Sequence, residues 1–265
     1  MVHSVAGFGS SAAVFFDLLL RAPSMAQIYI LSPFALALVI FLIRNLCRPM
    51  VHFGLVDVPG GRKAHNGEVP LVGGIALFAT FSLVALFLDT PLGPFRGLFF
   101  GMGILLIVGV LDDLHDIRAL DKFVVQVVAA IVLVFWGKME IQHLGVFPGL
   151  GNLDLGIVAV PFTLLCVVGL INAVNMMDGV DGLAGGVVLI VLGWFALVAG
   201  VEGALHFLQL PAILGSAVAG FLFFNFPHPW RPKTKIFLGD SGSLLLGFAL
   251  AWFAIDLGYY EGAEV

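Results

Sequence analysis

The stretch NMMDGVDGLAGGVVLIVLGWFALV, Asn175 to Val198, places two carboxylates directly before an apolar run. The run, residues 183–200, has no charged side chain and is long enough to cross a bilayer, since a spanning helix needs about 20 mainly apolar residues. Asp178 and Asp181 stand at its entrance, and ionisable groups at membrane depth are costly and usually functional. The stretch predicts a membrane helix with a polar site at one end.

The whole chain has the composition of an integral membrane protein. Of its 265 residues 60% are hydrophobic and 11% are charged, and the mean hydropathy is +1.10, whereas soluble domains carry about 25% charged residues. A soluble fold could not bury so much apolar surface. Cys47 and Cys166 lie in apolar runs without CxxC spacing, so neither a disulfide framework nor a zinc site is predicted. No nucleic-acid partner is expected.

Eight apolar stretches of the chain are long enough to be predicted as transmembrane helices. They are continuous rather than alternating, which argues against a membrane β-barrel. The predicted fold is an all-α, polytopic membrane protein with about eight transmembrane helices, in one domain of residues 1–265. Residues 1–24 make a poor signal peptide and are expected to be dispensable. The eight stretches are 26–46, 71–88, 95–111, 123–137, 156–173, 183–200, 205–225 and 242–258.

Lysine and arginine are unevenly distributed between the two sides of the predicted membrane. With the N-terminus outside, nine of them face the inside and three the outside, so the positive-inside rule predicts this orientation. Nine of the 17 acidic residues then share the cytoplasmic side. We therefore expect an active site on the cytoplasmic face, built from the loops 47–70, 111–122, 174–182 and 226–241.

The first candidate motif is GVLDDLHDIRALDK, Gly109 to Lys122, directly after an apolar stretch. Asp112 and Asp113 are adjacent carboxylates, which repel each other unless a cation lies between them. Asp112 and Asp116 would share one face of a helix. A solvated helix end is the alternative interpretation.

The second motif is NAVNMMDGVDGL, Asn172 to Leu183. Asp178 and Asp181 are each followed by a glycine, which frees the backbone to turn towards a ligand, and Asn175 adds an amide. The spacing of an EF-hand loop is absent. A plain turn would explain one Asp-Gly pair but explains two in tandem poorly.

The third motif is KIFLGDSGSLLLG, Lys235 to Gly247. It opens a membrane helix without partners for a serine-protease triad, and it lacks the Gly-Lys-Ser/Thr of a Walker A loop. Asp240 at a helix N-terminus, beside exposed amides, indicates a site for an anion or a metal-bound phosphate.

The fourth motif is GGRKAHNGEVPLVGG, Gly60 to Gly74. Its basic residues are explained equally well in two ways. One is a positive-inside anchor. The other is an anion-contacting loop in which Lys63 and His65 bind substrate.

Together these motifs favour an enzyme over a transporter. Carboxylates with a hard cation and phosphate are the usual components of Mg²⁺-assisted phosphoryl transfer. A proton- or cation-coupled carrier would place its acids near the middle of the membrane helices, whereas these acids lie at helix ends.

Four segments in order, LVDVPGGRKAHNGEVPLVGGIALF, LDDLHDIRALDKFVVQ, NAVNMMDGVDGLAGG and FNFPHPWRPKTKIFLGDSGSLLLG, carry a family resemblance over roughly residues 55 to 250. The chain resembles the polyprenyl-phosphate N-acetylhexosamine-1-phosphate transferases, and within them the bacterial undecaprenyl-phosphate N-acetylglucosamine-1-phosphate branch. The resemblance implies transfer of a sugar 1-phosphate from a UDP-sugar to undecaprenyl phosphate with release of UMP, using Mg²⁺ or Mn²⁺, to initiate a lipid-linked cell-surface polysaccharide.

The resemblance also implies roles for individual residues. Asp112 and Asp113 match paired aspartates that act on the lipid phosphate, and Asp178 is expected to be catalytic with them. Asp240 matches the metal-binding aspartate. The remaining matched positions are expected to bind substrate: Asn175 with Asp178 near the diphosphate, Asp181 at the uracil, and Asn225 and Phe237 at the nucleotide.

The implied partners are undecaprenyl phosphate, a UDP-N-acetylhexosamine and the lipid bilayer of a bacterial inner membrane, and a homodimer is left open. The family's later helices and its His-x-His-His loop have no counterpart up to Val265. The chain is therefore expected to be C-terminally shortened. An inactive shortened form and a cation- or proton-coupled transporter are kept as alternatives.

Overall fold

The computed structural model describes residues 23–58, 67–147, 151–201, 204–230, 232 and 235–258. Lys63 and His65 lie outside these residues, so the two interpretations of their loop stay open. All structural statements below concern the described residues.

The described chain is mainly helical, with one helix at each of the eight predicted apolar stretches. Six spans are long and apolar enough to cross a membrane, and α2 and α7 are shorter. The all-α, polytopic fold class is confirmed, and the chain is a multi-pass membrane protein. The helices are α1 (Pro23–His52), α2 (Gly73–Ala85), α3 (Arg96–His115), α4 (Ala119–Ile131, continued by a π-helical turn Val132–Trp136), α5 (Ala159–Met177), α6 (Leu183–Val201), α7 (Gln209–Asn225) and α8 (Gly239–Gly258).

Two short antiparallel strand pairs, neither predicted from the sequence, lie in the connections. β1 (Val56–Asp57) pairs with β2 (Val69–Pro70) before α2, and β3 (His143–Phe147) pairs with β4 (Gly151–Asp154) between α4 and α5. The segment after β2 also bonds to the chain that enters α8, because the amides of Gly73 and Gly74 donate to the carbonyls of Phe237 and Leu238, at 3.1 Å each. The entrances of α2 and α8 are thereby fixed side by side.

Helix α8 is the centre of the bundle. Its span is 78% buried inside the protein, against 22–33% for the other five long spans. Helices α2, α3, α5 and α6 pack against it. A helix that is apolar on all sides is expected in such a position, while the outer helices expose large side chains such as Ile190 and Phe135 to lipid.

Small residues allow the neighbouring helices to approach the first turn of α8 closely. A Cβ atom added at Gly109 of α3 would lie 2.2 Å from the Cα of Ser241, and one added at Gly74 of α2 would lie 2.4 Å from the backbone nitrogen of Gly242. Close backbone approach through glycine is the usual way in which membrane helices pack tightly. The ends of α2 and α3 are therefore held against the start of α8.

Candidate active site

A cleft of about 1220 Å³ opens where α3 and α5 end and α8 begins. This volume is above the usual range for pockets that hold one small molecule. Its walls come from segments far apart in the sequence, and most of its polar groups are acidic. The polar side chains that line it are Asp57, Asp112, Asp113, His115, Asp116, Asp178, Asp181, Lys235 and Asp240, beside the aromatic ring of Phe237.

Asp113 caps the N-terminus of α8. Its Oδ1 accepts a hydrogen bond from the backbone N–H of Asp240 at 2.9 Å, and its Oδ2 accepts one from that of Ser241 at 3.3 Å. The first amides of a helix have no partner within the helix, and a carboxylate is well suited to accept from them. Gly239, with φ +74°, makes the sharp turn that brings these amides to Asp113. The geometry gives Asp113 a positioning role, and its predicted action on a lipid phosphate stays a prediction.

Asp112 connects the end of α3 to α4. Its Oδ1 accepts from the N–H of Ile117 at 2.9 Å, and its Oδ2 lies 2.8 Å from the Nζ of Lys122. Between the two helices Asp116 adopts a left-handed conformation with φ 50°, which aspartate tolerates better than most residues. This turn carries Lys122 back over the end of α3.

Asp240 is the point at which three helices meet. Its Oδ2 lies 3.0 Å from the Nζ of Lys122 on α4, and its Oδ1 accepts from the Nδ2 of Asn175 on α5 at 3.0 Å. Asn175 also donates to the Oγ of Ser243, at 2.9 Å. The predicted residues Asp112, Asp113, Asn175 and Asp240 are thus brought together.

Asp178 follows directly after α5 and points its carboxyl group into the same cleft. No hydrogen bond to this carboxyl group is found within the described part of the chain. Burial, together with the charges of Asp240, Asp113 and Asp181, raises the pKa of Asp178 to about 8. The carboxyl group of Asp178 is therefore free to interact with a ligand, and a nearby cation would favour its ionised form.

Asp181 lies at the other side of the cleft, beside Lys235 and Phe237. The Nζ of Lys235 is 2.6 Å from the Oδ2 of Asp181 and 4.5 Å from the centre of the Phe237 ring. The lysine thus makes an ion pair and a cation–π contact at once. An aromatic ring and a carboxylate that share one lysine suit a planar base with N–H donors, and the predicted contacts of Asp181 with uracil and of Phe237 with the nucleotide stay predictions.

Asn225 is buried behind this part of the cleft. Its Oδ1 accepts from the N–H of Gly182 at 2.6 Å, and its Nδ2 donates to the carbonyl of Ile236 at 2.9 Å. Both ends of the amide therefore tie the Asp181 loop to the Lys235 segment. The geometry assigns Asn225 a positioning role, and its predicted contact with a nucleotide stays a prediction.

The described part of the chain contains no group of three His, Cys, Asp or Glu side chains arranged to hold a metal ion unaided. Oxygen donors are nevertheless concentrated around Asp240, and Mg²⁺ commonly binds through one or two carboxylates while water and substrate phosphates complete its shell. The residues fit a hard cation that arrives with a phosphate ligand.

Two lysines of the site, Lys122 and Lys235, were not predicted as site residues. From the sequence, both lysines were used only in the positive-inside count, although each belongs to a motif that was chosen for its acidic residues. Lys122 stands ten positions after Asp112, and its second partner is 118 residues further on. Only the first of these separations is local enough to be suggested by the sequence.

A family model described as Glycosyl transferase family 4 matches residues 95–258. The match includes all the cleft carboxylates described above except Asp57. The chain belongs to glycosyl transferase family 4.

The curated proteins similar to this glycosyl transferase family 4 chain include three bacterial ones. It is 34% identical over 223 residues to a probable undecaprenyl-phosphate N-acetylglucosaminyl 1-phosphate transferase of Bacillus subtilis (strain 168), over 82% of this chain and 59% of that protein. It is 33% identical over 208 residues to the undecaprenyl-phosphate alpha-N-acetylglucosaminyl 1-phosphate transferase of Escherichia coli (strain K12), over 77% and 55%. The corresponding protein of Yersinia pestis is 32% identical over 206 residues, over 78% and 56%. The chain thus spans between 55% and 59% of the length of these relatives.

Proposed function

We propose that the chain provides the phosphoryl-transfer site of an enzyme that moves N-acetylglucosamine 1-phosphate from UDP-N-acetylglucosamine to undecaprenyl phosphate. The observation that carries the proposal is the meeting of α3, α4 and α5 at Asp240, on the first turn of α8. The relatives are named for this activity, and the cleft volume of about 1220 Å³ exceeds what one small molecule needs. Initiation of a lipid-linked cell-surface polysaccharide is part of the same proposal.

In the proposed reaction an oxygen of the lipid phosphate forms a bond to the sugar-bearing phosphorus of the UDP-sugar. The bond from that phosphorus to the bridging oxygen breaks, and UMP leaves with the electron pair. A phosphate monoester is largely ionised at neutral pH, since its second pKa is about 6. The attacking group therefore needs orientation more than it needs a base.

The residues of the chain would divide this work between them. Asp240, held by Asn175, would bind Mg²⁺ or Mn²⁺. A bound divalent cation would offset the negative charge that builds up on the diphosphate oxygens. Asp178, whose carboxyl group has no hydrogen bond in the described residues, would face the diphosphate, and Asp181 with Phe237 would hold the uracil. Asp112 would hold the end of α3 at the lipid phosphate.

A transporter is the second candidate, and the depth of the carboxylates argues against it. Asp112 and Asp113 lie near the end of α3, Asp178 just beyond α5, and Asp240 is the second residue of α8. Within the described ranges no acidic residue occupies the middle of a spanning helix. A coupled carrier would need such a residue at its central binding site.

The location follows from the same proposal. The nine-to-three distribution of basic residues supports a cleft on the cytoplasmic face, where nucleotide sugars are made. The relatives come from bacteria, so the membrane would be the bacterial plasma membrane.

The test uses radiolabelled UDP-N-acetylglucosamine, undecaprenyl phosphate and Mg²⁺ with the purified protein in detergent. Asp240→Asn keeps the size of the side chain and removes its charge, so it should cost several kcal/mol of transition-state stabilisation, on the order of a thousandfold in rate. Asp121→Asn is the matched control, because Asp121 pairs with Arg118 at the surface and does not line the cleft. The proposal would be rejected if the two variants had equal rates, or if neither the wild type nor either variant transferred radiolabel to the lipid.

A further inference from the structure

Lys122 occupies an unfavourable position for a cation in its own helix. It is the fourth residue of α4, near the positive end of the helix dipole. Its side chain is 23% exposed, so it also loses part of its hydration. Two carboxylates offset these costs: the Oδ2 of Asp112 at 2.8 Å and the Oδ2 of Asp240 at 3.0 Å. The ammonium group is thus held between the two acids.

The position of this ammonium group overlaps the space that a divalent cation would need. A Mg²⁺ ion lies about 2.0–2.1 Å from each ligand oxygen, and the Asp240 oxygen that could approach it already bonds to Lys122. The other Asp240 oxygen bonds to Asn175. Two cations a few ångströms apart also repel each other strongly at a partly buried site. A metal and Lys122 therefore compete for Asp240 unless further negative charge enters the cleft.

We infer that Lys122 is an internal counter-ion that keeps Asp240 from binding a divalent cation until an anionic substrate is present. The inference rests on the proposed function, because the substrate that brings the charge is the diphosphate of a nucleotide sugar. The diphosphate adds negative charge next to both cations, so that Lys122 leaves Asp240 and the metal enters with the substrate. The flexible four-carbon stem of lysine permits this movement. The consequence is an ordered site, in which free metal ions bind weakly and metal and nucleotide bind together.

The experiment measures Mn²⁺ alone, by the loss of the free-ion electron paramagnetic resonance signal, with no nucleotide and no lipid. The wild-type protein should bind Mn²⁺ weakly. Lys122→Gln and Lys122→Met, which remove the charge and keep most of the stem, should each bind it on the order of tenfold more tightly. Lys122→Arg keeps the charge and should remain weak.

Two controls locate the effect. Arg118→Gln removes a cation from the preceding turn of the chain that pairs with Asp121 at the surface, and it should leave Mn²⁺ binding unchanged. Adding Asp240→Asn to Lys122→Gln should abolish the gained affinity, because the metal would then lack its ligand. Melting temperatures of all variants, read from intrinsic fluorescence, show which of them are folded.

The inference is overturned if folded Lys122→Gln or Lys122→Met binds Mn²⁺ no more tightly than the wild type, or if Lys122→Arg gains as much affinity as they do. It is also overturned if the gain survives in the double variant. Metal affinity is measured without transfer of sugar phosphate, so the two proposals fail separately. A gain in Mn²⁺ affinity in a protein that never transfers sugar phosphate would support the counter-ion and reject the transferase.

Discussion

At the scale of single residues, the site is defined by which carboxylates have partners and which do not. Asp112, Asp113 and Asp240 each bond to groups on other segments, whereas the carboxyl group of Asp178 has no hydrogen bond in the described residues. The difference follows from position, because Asp113 faces the amides of α8 and Asp178 faces the open cleft. Asp178 is therefore the acid whose charge state depends most on what enters the cleft.

Asp178 should make the metal-free protein less stable as the pH rises. Its pKa of about 8 in the folded protein lies above the unfolded value of 3.8, so the stabilisation by the neutral acid is complete below about pH 4 and is lost as the pH rises through 8. Asp178→Asn remains neutral, and its melting temperature in EDTA should fall less than that of the wild type between pH 5 and 8. Each kcal/mol corresponds to roughly 2–4 °C. The prediction would be contradicted if the melting temperatures of the two proteins fell by the same amount between pH 5 and 8.

The sequence predicted most acids of the site but not their partners. Asp112, Asp178 and Asp240 could be found because each stands where an apolar stretch begins or ends, and such acids are costly without a function. The bond of Asp240 to Lys122 joins residues 118 positions apart, and Asn225 reaches Gly182 across 43 positions. Contacts of this length leave no local periodicity, so only the packed helices reveal them.

At the scale of the elements, helix existence was predictable and helix ends were not. The apolar length of each stretch predicts a helix, but α1 continues to His52, six residues beyond its predicted end at 46, because a helix can extend past the hydrocarbon as a polar segment. The β1–β2 pair was missed because two-residue strands carry no alternation of side chains. The close contact of α3 and α8 depends on Gly97, Gly101 and Gly109, which recur at spacings of four and eight residues on one face of α3 and were not interpreted from the sequence.

Gly109 of α3 should tolerate no side chain. A Cβ atom there would lie 2.2 Å from the Cα of Ser241 and 2.3 Å from its nitrogen, and backbone atoms cannot move aside as a side-chain end can. Gly109→Ala should therefore separate α3 from α8 and weaken the Asp113 cap, with a loss of about 1–3 kcal/mol or more. Thermal melting in detergent and the transfer assay measure the two effects.

Gly103, six residues earlier on the same helix, is the matched control. A Cβ atom there would lie 3.6 Å from the Phe78 ring, an ordinary contact. Gly103→Ala should be neutral or stabilising, because alanine favours the helix over glycine by about 0.8–1.0 kcal/mol. Similar losses of stability at Gly103 and Gly109 would show that the close approach of α8 is not the cause.

At the scale of the whole molecule, the described helices place the cleft at one end of the bundle and the β3–β4 pair at the other. Helix α5 joins the two ends, because it begins at Ala159, shortly after β4, and finishes at Met177, beside Asp178. Residues on either side of this helix must therefore face opposite sides of the membrane. Which side is which depends on the distribution of lysine and arginine.

Single cysteines can decide the orientation in a variant that lacks Cys47 and Cys166. Asp154→Cys on β4 should react with an impermeant thiol reagent added to intact cells. Trp230→Cys, at a position 81% exposed and near the cleft end of α7, should react only after the cells are opened. The reverse pattern would put the cleft outside the cell and exclude a cytoplasmic nucleotide sugar as substrate.

The central position of α8 has a consequence for how the protein enters its membrane. The mean hydropathy of its span is 1.5, the lowest of the six long spans, which otherwise range from 2.0 to 2.5. Of the six long spans, α8 therefore has the weakest tendency to enter lipid alone. The surfaces that receive it belong to α2, α3, α5 and α6, which the ribosome makes earlier. We expect insertion of α8 to depend on those helices being in place, so that the cleft acquires Asp240 only after they have assembled.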